Sequence, residues 1–211
     1  IRKHKGVFYV QVTVGGKAGH ASNPALGVNA IDGLLRVLGA LQSWRDTIGE
    51  RYHDDEFEVP TPTLNFGRIT GGDSPNRICA ECKLDVDIRL LPGMERPAVV
   101  AELRDVVANA LDGGPWTFDV AAIGGYADAF GGPSDTEFSG AVETLCGCSA
   151  KTALFGTEAP FLAELGLQTL VLGAGDIAVA HQPDEYVTIA AIERATDVYA
   201  SLIQRFCIES T

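Results

Sequence analysis

The longest alternating run in the chain does most to limit its fold. Between Asn76 and Leu90, apolar and polar side chains take turns, and Arg89 closes the run on its polar side. A period of two residues is typical of a β-strand with one buried and one open face. The run therefore predicts one long strand. Residues three apart in such a strand point to opposite faces, so Cys79 and Cys82 are not expected to share a metal ion despite their C-x-x-C spacing.

Shorter patterns around this run give the order strand, helix, strand, strand, helix, strand. The other strands are predicted at Val7–Val14, Thr63–Thr70 and Trp116–Ile123, and the helices at about 28–48, after a cap at Ser22–Pro24, and at about 97–112. This is the order of the ferredoxin-like βαββαβ unit, in which two helices cover one face of an antiparallel sheet. We assign residues 6–123 to such a domain.

A glycine- and proline-rich stretch, Gly124–Pro133, is predicted to be a linker. Beyond it, helices are predicted from about Ser134, Glu158 and Ile189, and strands at Lys151–Phe155 and Gln168–Leu172. Alternating helices and strands are typical of an α/β sheet with helices on its faces. Two strands cannot complete such a sheet, so residues 124–211 are predicted to be the closing part of an α/β domain whose other strands lie upstream of Ile1.

Composition narrows the class of partner. The 211 residues carry a formal net charge of −12, which opposes binding to nucleic acid or to an anionic membrane surface. Membrane spans need about 20 consecutive apolar residues, and the sequence has no such stretch. Five cysteines form an odd count without a disulfide framework, which favours a reducing compartment. We therefore expect a cytoplasmic protein.

One histidine follows a predicted strand near the C-terminus. Ligands of open α/β sheets bind just beyond the carboxyl ends of strands, and His181 lies in such a place. Gly173 and Gly175, nearby, would let the backbone approach a bound group. One histidine cannot hold a catalytic zinc ion, which needs about three protein ligands, so His181 is either a surface residue or one part of a larger site. Glu185 is either a helix cap or a group that orients His181.

Three further polar residues have two interpretations each. His20, in the loop after the first strand, is either without a task or a group that reaches a ligand. Arg89 forms a cross-strand ion pair or a fork for a carboxylate. Asn76 is a turn residue or an amide aimed at a ligand. The sequence has no nucleophile elbow, phosphate-binding loop or H-E-x-x-H motif.

Seven segments, in order and spread over nearly the whole chain, resemble one family. They are Ile1–Gly6, Gly19–Ile31, Pro62–Gly67, Asn76–Cys79, Asp87–Met94, Thr157–Phe161 and His181–Tyr186. The family is that of the dinuclear-zinc aminoacylases and exopeptidases. It implies a zinc-binding catalytic domain interrupted by a lid domain through which two subunits form a homodimer. Residues 6–123 resemble the lid, and residues 124–211 resemble the end of the catalytic domain.

The resemblance also implies a reaction and roles for individual residues. The reaction is metal-dependent hydrolysis of an N-acyl amino acid, with N2-acetyl-L-ornithine the expected substrate and arginine biosynthesis the expected pathway. His181 matches a zinc ligand, and His20 matches the catalytic lid histidine that enters the partner subunit's site. The expected substrate-binding residues are Asn76, Arg89, Thr157, Glu158, Gly173 and Gly175. A complete site would hold two Zn2+ ions, for which Co2+ can substitute.

The family's upstream metal-binding segment is absent from these 211 residues, so the chain alone is expected to be inactive. Two alternatives stay open. One is another acyl amino acid as substrate, such as succinyl-diaminopimelate. The other is a non-catalytic dimerisation module.

Overall fold

The computed structural model of the chain describes residues 1–208. Residues 209–211, which the sequence assigns to the end of the second domain, lie outside the described residues. Nine strands are present in this part of the chain: β1 (Lys3–His4), β2 (Gly6–Gly15), β3 (Gly19–His20), β4 (Thr63–Gly71), β5 (Arg77–Ile78), β6 (Glu81–Leu90), β7 (Thr117–Ala127), β8 (Phe130–Gly131) and β9 (Thr152–Ala153). The α-helices are α1 (Ala30–Arg51), α2 (Arg96–Leu111), α3 (Glu137–Cys146), α4 (Ala159–Glu164) and α5 (Ile189–Ile203).

The predicted ferredoxin-like unit is confirmed. Its four long strands form one antiparallel sheet in the order β4-β6-β2-β7. Alternate residues of β2, such as Phe8 and Val12, are buried against α1 and α2 on one face. The same helices supply Leu34, Leu41 and Leu103 to this core, while the other face of the sheet is polar and open. We call residues 6–127 the four-stranded unit.

Two details of this unit differ from the prediction. The long strand predicted for residues 76–90 is broken into β5 and β6, because the carbonyls of Cys79 and Ala80 bind amides of Ala30 and Gly16 instead of a neighbouring strand. The break also buries both Cys79 and Cys82 in the core, so the expectation that they face opposite ways was wrong. The residues around Ser22 form only a short 3-10 turn.

Helix α1 begins later than expected, because its N-cap is Asn29 and not a residue of the Ser22–Pro24 segment. The Asn29 side chain accepts a hydrogen bond from the amide of Ile31. Such a bond satisfies one of the amides that the first helical turn leaves without a partner.

A second, smaller sheet has the order β8-β1-β9. Strand β1 is its central strand, antiparallel to β8 and parallel to β9. Helices α3, α4 and α5 accompany it. We call residues 1–5 and 128–208 the three-stranded unit. The chain enters the four-stranded unit after Lys5 and returns to the three-stranded unit through Asp128 and Ala129.

Three expectations for the three-stranded unit need correction. The glycine-rich stretch predicted as a linker instead lies mostly in strands β7 and β8. Residues 168–172 were predicted to be a strand but form none within residues 1–208, where Val171 exchanges backbone hydrogen bonds with Ile1 and no longer pairing develops. The strand predicted at 151–155 shortens to β9. No helix within residues 1–208 is long and apolar enough to cross a membrane.

Candidate functional site

His4 and the loop before α4 form a hydrogen-bonded polar cluster in the three-stranded unit. His4 is fully buried in the central strand β1. Its Nε2 lies 2.9 Å from the hydroxyl oxygen of Thr157 and 3.3 Å from the Thr157 amide nitrogen. Its Nδ1 lies 2.9 Å from the Lys5 carbonyl oxygen. Burial lowers the pKa of His4 and outweighs the opposing effect of the bond to Lys5.

Thr157 and Glu158 precede α4, with Glu158 as its N-cap residue. The Thr157 hydroxyl accepts a hydrogen bond of 3.1 Å from the amide of Ala159, the first residue of that helix. Gly156 packs against the four-stranded sheet: a Cβ atom placed on it would lie 3.1 Å from side-chain carbons of Val7 and Ala127. The loop therefore touches both units.

Lys5, where the chain passes between the sheets, is only 1% exposed. Its ammonium group donates to the carbonyl of Thr61 and lies 5.8 Å from the centre of the Phe57 ring. Burial, together with the positive charge of Arg89, lowers the pKa of Lys5 to about 8. A cation held in such surroundings is unusual and marks this junction as a constrained point of the fold.

Arg89 lies on the open face of the four-stranded sheet, at the end where the chain passes to the three-stranded unit. In the sheet it is paired with Val7 on one side and Thr63 on the other. Its Nε and Nη2 atoms donate to the two carboxylate oxygens of Asp87, at 2.6 and 2.8 Å. This pairing raises the pKa of Arg89. The ion pair is therefore formed within one strand and not across strands.

His20 and Asn76 lie together at the opposite end of the same sheet. Strands β3 and β5 pair there, with His20 opposite Arg77. The His20 Nδ1 is 2.7 Å from the hydroxyl oxygen of Ser22, and the carbonyl of Asn76 accepts from the amide of Ala21 at 3.0 Å. The Asn76 side chain accepts from the hydroxyl of Ser74. Both side chains are exposed and reach outward from the unit.

The length of β6 separates these two groups of residues. Strand β6 begins at Glu81, shortly after the β3–β5 pair that carries His20, and Arg89 is eight residues further along. Eight strand residues span roughly 26 Å. One small ligand therefore cannot touch His20 and Arg89 of the same chain.

His181 lies in the loop before α5, with a left-handed backbone (φ 60°), and its amide donates to a carboxylate oxygen of Glu185 at 3.0 Å. Glu185 thus holds the backbone of His181. A cleft of about 510 Å³ lies beside this loop and is lined by Gly173, Gly175 and Glu185. Phe155 also lines this cleft, so the cleft lies next to the Gly156–Glu158 loop.

The residues described here cannot form a zinc site by themselves. No group of three or more His, Cys, Asp or Glu side chains within residues 1–208 is arranged to hold a metal ion. His181 is exposed, and a single imidazole falls short of the three or four protein ligands that zinc takes. A zinc ion bound through His181 needs its other ligands from residues outside this set.

His4 and Lys5 are the site residues that the sequence failed to indicate. Their partners Thr157, Arg89 and Thr61 are distant in sequence, so no local spacing reveals them. The available signal was the charged and polar segment at residues 2–5, which directly precedes an apolar strand.

Comparisons of sequence and structure agree with this fold. A family model described as a peptidase dimerisation domain, of the M20 group, matches residues 2–115. The chain therefore belongs to the family defined by the M20 peptidase dimerisation domain.

Among curated relatives, it is 42% identical over 207 residues to an acetylornithine deacetylase of Vibrio atlanticus and 41% identical to one of Vibrio cholerae. In each case the alignment covers 98% of this chain and 54% of the relative, so the chain spans about half the length of these proteins.

Solved structures support the fold. A tripeptidase from Staphylococcus aureus matches 97% of this chain with a TM-score of 0.72 and 18% identity, covering 52% of that protein. A metallo-carboxypeptidase of the M20 family from Sulfolobus solfataricus matches 97% of this chain with a TM-score of 0.70 and 17% identity, covering 59% of that protein.

Proposed function

We propose that the complete protein hydrolyses the amide bond of an N-acyl amino acid, with N2-acetyl-L-ornithine converted to L-ornithine and acetate. The observation that carries this proposal is the identity of 41–42% with acetylornithine deacetylases along 98% of the chain. The corresponding pathway is arginine biosynthesis, and the expected compartment is the cytoplasm. In this proposal residues 6–123 act as the lid and residues 124–211 as the end of the catalytic domain.

The separation of His20 from Arg89 supports a site built from two subunits. Arg89 and the Thr157–Glu158 loop belong to one subunit, and His20 and Asn76 come from its partner. Arg89 and Asn76 bind the carboxylate end of the substrate, and Thr157, Glu158, Gly173 and Gly175 line the pocket. His181 is a zinc ligand that completes a site of two Zn2+ ions with residues outside this chain.

The proposed task of His20 is electrostatic. Amide hydrolysis passes through a tetrahedral state with negative charge on the former carbonyl oxygen, and donors aimed at that oxygen lower the barrier. An exposed imidazole on the β3–β5 pair at the end of the sheet suits this task, because it can enter a neighbouring subunit's cleft when the lid closes.

Subunit complementation tests this arrangement. We expect His20→Ala in the complete protein to lower kcat by about 100- to 1,000-fold with little change in KM, because one oxyanion donor is lost. Arg89→Ala should mainly raise KM. At substrate concentrations far below the KM of Arg89→Ala, both variants have low activity. After they exchange subunits, half of the dimers are mixed and have one intact site of two, so about one quarter of the wild-type activity should return.

Native mass spectrometry provides the control, because it verifies that mixed dimers form. Mixed dimers without activity would contradict the two-subunit site. The substrate is tested with a panel of acyl amino acids that includes succinyl-diaminopimelate. If acetylornithine is the poorest substrate of the panel, the proposed substrate is wrong, but the proposed class of reaction still holds. Light scattering that gives a single-subunit mass would contradict the homodimer.

A second candidate is a non-catalytic dimerisation module. The observation that favours it is that the family match ends at residue 115, within a unit that has a complete core of its own. A complete protein that forms dimers but hydrolyses none of the acyl amino acids would support this candidate.

A further inference from the structure

His4 has two polar ring atoms in a place where a strand residue of a small sheet would ordinarily be apolar. It is 0% exposed, it stands between Phe130 and Ala153 in the sheet, and its ring lies 5.4 Å from that of Phe130. A buried polar group is costly unless its hydrogen bonds are made. His4 makes them with Lys5 on one side and Thr157 on the other.

These partners assign one tautomer to the ring. The Lys5 carbonyl can only accept a hydrogen bond, so the proton of neutral His4 is on Nδ1. Nε2 is then a bare acceptor, which is what the amide and the hydroxyl of Thr157 require as donors. The Thr157 hydroxyl donates to His4 and accepts from the amide of Ala159, so the chain of hydrogen bonds has a single direction.

This chain of bonds connects the pocket loop to the junction between the units. Lys5 makes three hydrogen bonds. Its amide donates to the Ala153 carbonyl at 3.1 Å, and its ammonium group donates to the Thr61 carbonyl. Its carbonyl accepts from His4. Directly after Lys5 begins β2, whose Val7 pairs with Arg89. Through His4, the position of Thr157 is thus fixed relative to the strand that neighbours Arg89.

We propose that His4 is a positioning residue, which holds the Thr157–Glu158 loop at a fixed place relative to Arg89 through its neutral, Nδ1-protonated ring. The inference rests on the proposed function, because that function gives the loop and Arg89 their shared substrate. His4 touches neither the substrate nor a metal in this role. Its effect on the reaction is the placement of groups that do.

Kinetics of the complete protein test the positioning role. We expect His4→Gln to lower kcat/KM by about tenfold or more, because displacement of a positioned group by about 1 Å can cost up to 100-fold. Thr157→Val should have a similar effect and Thr157→Ser should restore most of the activity. The His4→Gln and Thr157→Val effects should not add, since both remove the same bond.

Thr152→Val is the matched control. Its hydroxyl donates to the Glu56 carbonyl at 2.9 Å, so this variant also removes a threonine hydroxyl bond from the same small sheet, away from the loop. We expect it to lose stability without any change in kcat or KM. If His4→Gln and Thr152→Val lose the same stability and neither alters kcat or KM, the positioning role is refuted.

A spectroscopic measurement separates this inference from the proposed function. In 15N-histidine-labelled protein, the signal that disappears in His4→Gln should show a protonated Nδ1 and a bare Nε2 at neutral pH. The amides of Thr157 and Ala159 should exchange with solvent faster in His4→Gln than in Thr152→Val. A protonated Nε2, or unchanged exchange of both amides, would overturn the inference even if the enzyme is active. The protein could show the expected His4 tautomer and the faster amide exchange but hydrolyse no acyl amino acid. In that case the proposed reaction is wrong, and the role of His4 in holding the Thr157–Glu158 loop is supported.

Discussion

The four-stranded and three-stranded units bury their apolar side chains to very different extents. In the four-stranded unit, α1 and α2 cover one face of the sheet, and Val10, Leu84 and Leu103 are completely enclosed. In the three-stranded unit, α5 has fifteen residues, of which Val198 alone is buried within the described chain. Ile189 of the same helix is 75% exposed.

This difference shows that an amphipathic helix pattern in the sequence does not by itself lead to burial. The apolar face also needs another surface to pack against. The apolar face of α5 is as clear in the sequence as that of α1, yet most of it has nothing to cover it within residues 1–208. Helical stability in proteins comes mainly from packing of the apolar face. The four-stranded unit therefore has a closed core of its own, whereas the three-stranded unit leaves an apolar surface exposed within residues 1–208.

The largest expected effect would sharpen this contrast directly. Leu84→Ala should lower the free energy of unfolding by about 2–5 kcal/mol, because it leaves a cavity in a closed core. Ile192→Ala, on the half-exposed face of α5, should change it by less than about 0.5 kcal/mol. Urea denaturation followed by far-UV circular dichroism is the measurement, since both units contain helices that contribute to this signal. Equal losses for the two variants would remove the contrast.

A smaller effect is expected at Lys5, where the units meet. Because the pKa of Lys5 is lowered to about 8 from an ordinary value of 10.5, the unfolded chain binds the proton more tightly than the folded one. The contribution of Lys5 to stability is therefore unfavourable below pH 8 and improves as the pH rises from about 8 to 10.5, by roughly 3 kcal/mol in all. Lys5→Met should lack this change.

The difference in unfolding free energy between Lys5→Met and the unaltered protein is the quantity to measure across that range. Thiol ionisation contributes equally to both proteins and cancels. A difference that stays constant from pH 7 to 10.5 would mean that the Lys5 ammonium group is not enclosed.

The smallest effect concerns the ion pairs that join the units. Lys3 of β1 binds Asp54 at 3.0 Å and Glu56 at 2.6 Å, both from the loop between α1 and β4. Asp54→Asn should cost about 0.2–1 kcal/mol at low salt and less in 1 M salt, where charges are screened. Asp55→Asn is the control, because the Asp55 side chain is exposed and pairs with His53 of the same loop and not with the other unit. A cost for Asp54→Asn that does not fall with salt would point to packing instead of charge.

The sequence was most informative where the periodicity is long. The alternation of β2 and β6 and the helical spacing around Leu34 and Leu41 were sufficient to predict the βαββαβ unit. The break at Cys79 and Ala80 was not visible, because it is caused by backbone bonds to Ala30 and Gly16, and a side-chain pattern does not record those. The start of α1 was missed since two cap sequences, at Ser22 and at Asn29, stand close together.

For the candidate site too, the sequence indicated some features and not others. The resemblance indicated His20, Arg89 and Thr157 as candidates, but only the register of β6 reveals that His20 and Arg89 lie at opposite ends of a sheet. His4 could not be predicted from its neighbours, because its partner Thr157 is 153 residues away. Long-range strand pairing decides which residues share a site. This pairing cannot be read from a single sequence.

The position of β1 at the centre of its sheet has a consequence for biosynthesis. On the ribosome, β1 emerges well before β8 and β9, its only neighbours in the described sheet, and the whole four-stranded unit is made in between. At about 5–20 residues per second, His4 waits several seconds or more for Thr157. During that interval neither of these two neighbours is available to β1. The four-stranded unit can therefore complete its core before the small sheet around β1 is assembled.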